Sequence, residues 1–178
     1  MVQTKIRKKF FNVEIPAIER ETEVQAYELS EVEGRYIKYD LTRILKGKSA
    51  ELQLKVKIQD GKAIAKPRQI KLLPYFIVRM IRKGTNYVED SFSANCKNAQ
   101  LRIKPFLITR KKVSRSVRTA LRNKAKEEII NYIKDKTSDE IFEDVIKNKL
   151  QKPLSLTLKK IYPLSFCDIR ILKIEKEI

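Results

Sequence analysis

No histidine occurs anywhere in the 178 residues. Its absence removes the one side chain whose unperturbed pKa lies near neutrality, and with it the usual base for a Ser or Cys nucleophile. Glycine is almost as scarce, at four residues, so a Gly-rich phosphate loop of the P-loop or Rossmann kind has no sensible place to form. The two cysteines, Cys96 and Cys167, stand far apart and outside any Cys-x-x-Cys spacing, which fits a reducing compartment and argues against a zinc site or a disulfide framework. Adjacent carboxylates do occur at Glu127-Glu128 and Asp139-Glu140, but neighbours on a helix point about 100° apart and read as solvent or helix-start residues rather than a metal pair. Long apolar runs are missing too. The longest, Leu72 to Val78, is broken by Pro74 and falls far short of the roughly 20 residues a membrane-spanning helix needs. The basic start MVQTKIRKKFF leads into NVEIPAIERE rather than an apolar core, so no secretory signal is expected. Together these absences predict a soluble or peripherally bound protein of a reducing compartment, with no cofactor, no metal and no catalytic activity.

What the chain has in excess is positive charge. Lys and Arg number 40 against 22 Asp and Glu, a formal +18. Self-repulsion on that scale destabilises a compact monomer unless a polyanion neutralises it. The charge is also unevenly placed. Asn12 to Gly34 holds seven glutamates and one basic residue, Arg20, whereas Ile108 to Lys126 (ITRKKVSRSVRTALRNKAK) holds eight Lys or Arg and no acid. The acidic segment reads either as a solvated edge or as a face that docks on a basic neighbour protein.

Hydropathy patterning predicts one α+β domain over residues 1–178: antiparallel strands in a barrel-like or twisted sheet, packed with three to four helices. Tyr36 to Leu41 alternates, and AELQLKVKIQ, Ala50 to Gln59, alternates without error. Asp60-Gly61 then supplies a tight turn, with Lys62 to Lys66 returning as a short partner. Lys55 and Lys57 face solvent on this ribbon, where they either track phosphates or keep an edge soluble. From Lys71 to Lys83 the period becomes helical, with Leu73, Ile77 and Met80 or Ile81 on one stripe, Arg82 and Lys83 near the C-terminal end, and Gly84 as a C-cap. Asn86 to Phe92 and Leu101 to Thr109 read as strands around a turn at Asn95 to Asn98, with Pro105 marking an edge or a bulge. A capping box at Thr137-Ser138-Asp139-Glu140 precedes Ile141, Phe142, Val145 and Ile146. A short helix near Pro153 to Ile161 and a strand from Asp168 to Ile174 complete the chain.

The basic stretch reads as a helix capped by Ser116 and beginning at Val117. At about 100° per residue, Arg115, Arg118, Arg122 and Lys126 share one arc, and Val113, Val117, Ala120 and Leu121 lie opposite. Ile129, Ile130 and Ile133 fall on a different arc, so the helix either bends or changes neighbours past Lys124. Arg110, Lys111 and Lys112 precede the helix start, where positive charge opposes the dipole at about 0.3 to 1 kcal/mol each. A bound phosphate would remove that conflict, and RNA offers phosphates in series. Peripheral attachment to anionic lipid through the same helix is the alternative; Val117, Ala120 and Leu121 make a small apolar face for it. Tyr36, Tyr39, Phe92 and Phe106 are aromatic candidates either for base stacking or for the core.

IKLLPYFIVRMIRKGTNYVEDSFSANCKNAQLRIKPFLITRKKVSRSVRTALR, Ile70 to Arg122, resembles the small-subunit ribosomal protein family called S three a (S one e) in eukaryotes, which has archaeal relatives. The likeness lies in a helix ending in basic residues, a hairpin, and the ordered set Lys111, Lys112, Val113, Ser116, Ala120, Leu121 and Arg122. FFNVEIPAI, EGRYIKYDL and KIYPL add to it along the chain. Two departures are Lys97-Asn98-Ala99 at a hairpin tip where the family usually has Asp-Gly, and Gln69 where a Gly often precedes the first helix. The resemblance implies a structural, non-enzymatic constituent of the small ribosomal subunit, binding small-subunit rRNA on the platform near the mRNA exit. Its implied partners are neighbouring ribosomal proteins and mRNA near the exit, with no membrane and no homo-oligomer. The residues expected to meet RNA are Arg82, Lys83, Arg110, Lys111, Lys112, Arg115, Arg118, Arg122 and Lys126.

Overall fold

In the computed structural model, residues 7–45 and 47–177 are described. The expectation about the first six residues lies outside them. The segment with seven glutamates, given no secondary structure from its sequence, forms most of an antiparallel pair: β1 (Lys9–Ile15) and β2 (Arg20–Ala26) flank a 3-10 turn at Pro16–Ile18. β2 ends the sheet, with Glu21 and Glu23 exposed on it. Charged side chains on such an edge discourage pairing with another chain.

β3 (Tyr36–Asp40) and β4 (Ala50–Gln59) pair antiparallel, and β4 has the bounds its alternation predicts. The Asp60-Gly61 turn has φ of 52° and 75°, the doubly positive pair that matches the twist of a two-residue hairpin. Its return strand β5 (Lys62–Leu72) runs well past the expected Lys66. Pro67 is absorbed by a register shift at Gln53/Leu54, after which Ile70 and Leu72 keep facing the core. That continuation takes Lys71 and Leu72 away from the predicted helix, and α1 (Pro74–Met80) is correspondingly short. Pro74 occupies its first turn, where a missing N–H costs nothing, and the preceding Leu73 is extended as a residue before proline should be. The helix ends at an extended Ile81. Gly84 (φ 87°) is therefore not its cap but part of the next turn.

The expected strand at Asn86 to Phe92 is two strands, β6 (Tyr87–Glu89) and β7 (Phe92–Asn95). Both pair with β8 (Ala99–Thr109), β6 along Phe106 to Ile108 and β7 along Gln100 to Ile103. Pro105 sits between these two ladders at a register shift, which confirms a bulge; β8 itself is an interior strand, because β9 (Leu164–Glu177) pairs along its other side. The helices are α2 (Arg115–Ile133), α3 (Ser138–Ile146) and α4 (Gln151–Lys159). Thr137 caps α3 in a full capping box, as its sequence predicts.

The nine strands form an open sheet, not a barrel, in the order β2-β1-β5-β9-β8-β6, with β4 and β3 added on β5 and β7 on β8. β1 meets β5 in parallel, the one parallel pair among the described residues. One sheet face carries Leu52, Leu54, Ile70, Leu172, Leu101 and Ile103, each 0 to 3% exposed. Leu121, Ile129, Phe142 and Leu158 of the helices join them in the core.

Candidate nucleic-acid interface

The basic stretch begins where β8 runs out. Thr109, its last residue, is fully buried, and its hydroxyl accepts from the Asn86 N–H (3.1 Å) while lying within hydrogen-bond reach of the carbonyls of Lys111 (2.7 Å) and Asn86 (3.0 Å). The Asn86 side-chain oxygen accepts from the Val113 N–H at 2.9 Å. The Arg110 N–H donates to the Pro163 carbonyl at 3.3 Å. Two tertiary partners, Asn86 and Pro163, and the local Thr109–Lys111 bond thus pin the backbone from Thr109 to Val113, while the side chains of Arg110, Lys111 and Lys112 stay exposed. Nothing in the local sequence marks Asn86 or Thr109 for this clamp, because the partners lie 23 and 27 residues apart.

The clamp also decides where α2 starts. Ser114, not Ser116, is the N-cap: it is extended, its hydroxyl accepts from the Val117 N–H, and the helix begins at Arg115. Ser116 bonds instead to the Ser114 hydroxyl at 2.9 Å. The predicted apolar side needs correcting as well. Leu121 is buried, but Val117 is half-buried and Ala120 is exposed; the inward stripe is Leu121, Ala125, Ile129 and Ile133. Residues four apart drift about 40° per step on an ideal helix, so this stripe winds around α2. The helix accordingly runs unbroken and changes neighbours, packing on β6 and β7 and on α4.

The cationic arc is present. Arg115, Arg122 and Lys126 are exposed and Arg118 is half-buried. Among the described residues none of these four, nor Arg110, Lys111, Lys112, Arg82 or Lys83, makes an ion pair. The Arg118 Nε is buried without a hydrogen-bond partner. Lys126 lies 5.8 Å from the centroid of the Phe92 ring. Arg122 lines a concavity of about 490 Å³ with Lys104, Arg170, Glu89 and Asp90, at the gap between β6 and β7, where Arg170 is already paired with Glu89 at 2.8 Å. Lys124 behaves differently: the hydrogen bonds it donates to Glu127 first, then Glu128, raise its pKa, and these acids satisfy it within the helix. The first turn of α2 contains no acid, so the dipole conflict inferred from the sequence stands in the structure.

Arg82 and Lys83 lie just beyond α1, in a turn closed by Thr85, whose N–H and hydroxyl both donate to the Arg82 carbonyl. Asn86 follows directly, so this turn connects to the clamp that holds Lys111 and Val113. α1 is fixed there by an aromatic chain: Phe76 meets Phe166 edge-on at 5.9 Å, Phe166 meets Phe106 at 6.3 Å, and Phe106 stacks on Tyr87 at 6.0 Å. Of the aromatic candidates for base stacking, Phe92 and Phe106 are buried and Tyr39 is packed against the core; Tyr36 remains 57% exposed. Lys104 and Arg170 were missed from the sequence, although Arg102 and Lys104 alternate with Leu101 and Ile103 in a pattern that places them opposite the core.

Among the described residues no cluster of three or more His, Cys, Asp or Glu could hold a metal ion, and no helix is long and apolar enough to cross a membrane. Comparison with known proteins gives one consistent result. Residues 2–177 match the model of the Ribosomal S3Ae family. The small ribosomal subunit protein eS1 of Nanoarchaeum equitans is 29% identical over 174 residues, covering 92% of this chain and 87% of that protein. The protein of the same name from Saccharolobus islandicus is 25% identical over 177 residues, covering 95% and 85%. That from Pyrobaculum arsenaticum is 24% identical over 144 residues, covering 78% and 66%.

Proposed function

Since the chain belongs to the Ribosomal S3Ae family, we propose that it is a structural constituent of the small ribosomal subunit, acting in the cytoplasm without catalysis, and that its clamped basic turn and α2 arc bind small-subunit rRNA. The observation that carries this reading is the set of cations from Arg110 to Lys126 that, Lys124 excepted, lack acid partners, the first of them held beside the positive end of a helix dipole. Phosphate oxygens relieve both the missing partners and the dipole conflict. Recognition is then by charge and backbone shape rather than by base identity. The site of binding is the platform near the mRNA exit, beside neighbouring ribosomal proteins and within reach of mRNA, with a single copy in each subunit. The glutamates of β2 offer a basic neighbour a complementary edge.

Attachment to anionic lipid is the weaker reading. The large apolar residues of α2 lie in the core and Ala120 is the exposed one, so the helix has no apolar face to insert. The test is the triple variant Lys111→Ala, Lys112→Ala, Arg122→Ala in filter binding to small-subunit rRNA. At about 0.7 to 0.9 per phosphate contact, the log-log salt slope should fall by about two. An unchanged slope refutes the assignment, and co-sedimentation with anionic vesicles stronger than binding to rRNA would favour lipid.

A further inference from the structure

Opposite the helix-packed face, the sheet presents a second charged surface that α2 does not include. The register lines up Lys38, Gln53, Gln69, Lys173, Arg102 and Ser93 as directly paired residues across β3, β4, β5, β9, β8 and β7, a polar row spanning six strands. Five spacings of about 4.8 Å make it about 24 Å long. A neighbouring row sets Tyr36 opposite Lys55 and Lys55 opposite Lys66. Concavities of about 240 Å³ and 320 Å³ share Arg68 as a wall, the first running from Lys55 and Lys66 to the start of α3 at Ser138 and Asp139.

Keeping a sheet edge soluble does not explain these lysines, because β4, β5, β8 and β9 are all interior strands, paired on both sides. Internal pairing does not explain them either. Acids of the face are taken by other partners, Glu51 by Lys38, Glu175 by Arg102 and Glu177 by Arg68, and Asp40 is held by the Thr42 N–H. Among the described residues, Lys55, Lys66 and Lys173 make no ion pair. Tyr36, beside Lys55, holds a flat apolar ring 57% open to solvent on a surface otherwise polar.

We infer that this open face binds a single-stranded RNA segment, with a base stacked on Tyr36 and the backbone tracked by Lys55, Lys66 and Lys173. Unpaired cations answer to a polyanion, and an aromatic platform among them answers to an unstacked base, which a duplex does not offer. The inference goes beyond the α2 reading and stands independently of it.

The test uses the full chain and a labelled single-stranded oligouridylate of about 12 nucleotides. Tyr36→Ala should weaken binding about fivefold or more, since base stacking on an aromatic side chain is lost, whereas Tyr36→Phe should bind as wild type. The triple variant Lys55→Gln, Lys66→Gln, Lys173→Gln should lower the salt slope by about two, at about 0.7 per contact on a single strand. The fold-loss from Tyr36→Ala should persist in the Lys111, Lys112, Arg122 background, which separates this face from the ridge. Equal oligonucleotide binding by Tyr36→Ala and wild type would overturn the inference. So would equally tight binding of an RNA hairpin with the same losses, or displacement of the oligonucleotide by polyglutamate at matched charge, which would assign the face to an acidic protein segment.

Discussion

Replacing Asn86 with Ala should loosen the basic turn without touching a single cation. The Asn86 side-chain oxygen is the acceptor for the partly buried Val113 N–H, at 2.9 Å. Stranding a buried donor costs about 1 to 3 kcal/mol. Partial water access at this site favours the lower half of that range, about 1 to 2 kcal/mol. For a domain of this size each kcal/mol lowers the melting temperature by about 2 to 4 °C, so a drop of about 2 to 8 °C is expected. Asn86→Asp keeps an oxygen at the same place and should restore most of it. Thr109→Val, isosteric at a fully buried position, removes the hydroxyl that serves Asn86 and Lys111 and should cost a comparable amount. Because both side chains hold one turn, the double variant should deviate from additivity by about 0.5 kcal/mol or more. Urea unfolding followed by circular dichroism gives the energies, and amide exchange at Val113 reports the local opening. If Asn86→Ala unfolds within about 0.3 kcal/mol of wild type and the Val113 amide stays protected, the clamp does not hold the turn and its place in the interface must be abandoned.

Thr137→Ala breaks one half of the α3 capping box: it removes the hydroxyl that accepts from the Glu140 N–H, while the backbone N–H at 137, which donates to Glu140 at 2.9 Å, remains. A loss of about 1 kcal/mol in urea unfolding is expected; no loss would mean that tertiary packing alone sets the helix start. Asp144 should supply part of the acid sensitivity. Burial works to raise its pKa, but hydrogen bonds from Lys136 and Tyr132 outweigh burial and hold it below the usual 3.8. A depressed folded-state pKa contributes stability that is present above 3.8 and is lost as pH falls from there through the lower folded value. Asp144→Asn should therefore be less stable near neutrality and show a shallower decline of stability into acid, read from urea midpoints across pH. A decline as steep as in wild type would show that other carboxylates carry the acid transition.

Where a local rule had no tertiary competitor, it could be read from the residues. The strict alternation of Ala50 to Gln59 fixes β4 because both its neighbours demand the same face inward, and Asp60-Gly61 fixes the turn because few residue pairs accept two positive φ values. The Thr137 box succeeds for the same reason, since its two hydrogen bonds close within four residues. Failures came where distant partners arbitrate. The return strand was expected to end at Lys66, but a register shift at Pro67 lets β5 continue to Leu72 in pairing with β9. Ser114 and Ser116 are equivalent caps by propensity, and only the Asn86 bond to Val113 selects the first. The cations of the α2 arc were visible because a helix concentrates them within one short stretch. The sheet-face lysines were not, since Lys55, Lys66 and Lys173 come together only through a register that joins β4, β5 and β9.

That contrast bears on how the charge is held. The acids of this chain are not spread evenly among its cations; they pair Lys124 within α2, Lys136 and Lys149 on Asp144, and Lys48 on the buried Asp168. Each of these pairs lies within or between elements that the fold must hold together. The cations from Arg110 to Lys126 that lack such partners are instead fixed through their backbone, by Asn86, Thr109 and Pro163, and through the inward stripe of α2. Rigid backbone with unpaired charge raises the free energy of the isolated chain, and a polyanion bound as proposed would recover it without the ordering cost that a flexible basic tail would incur. The Arg118 Nε, buried without a hydrogen-bond partner, adds a further cost to the isolated chain on the same arc.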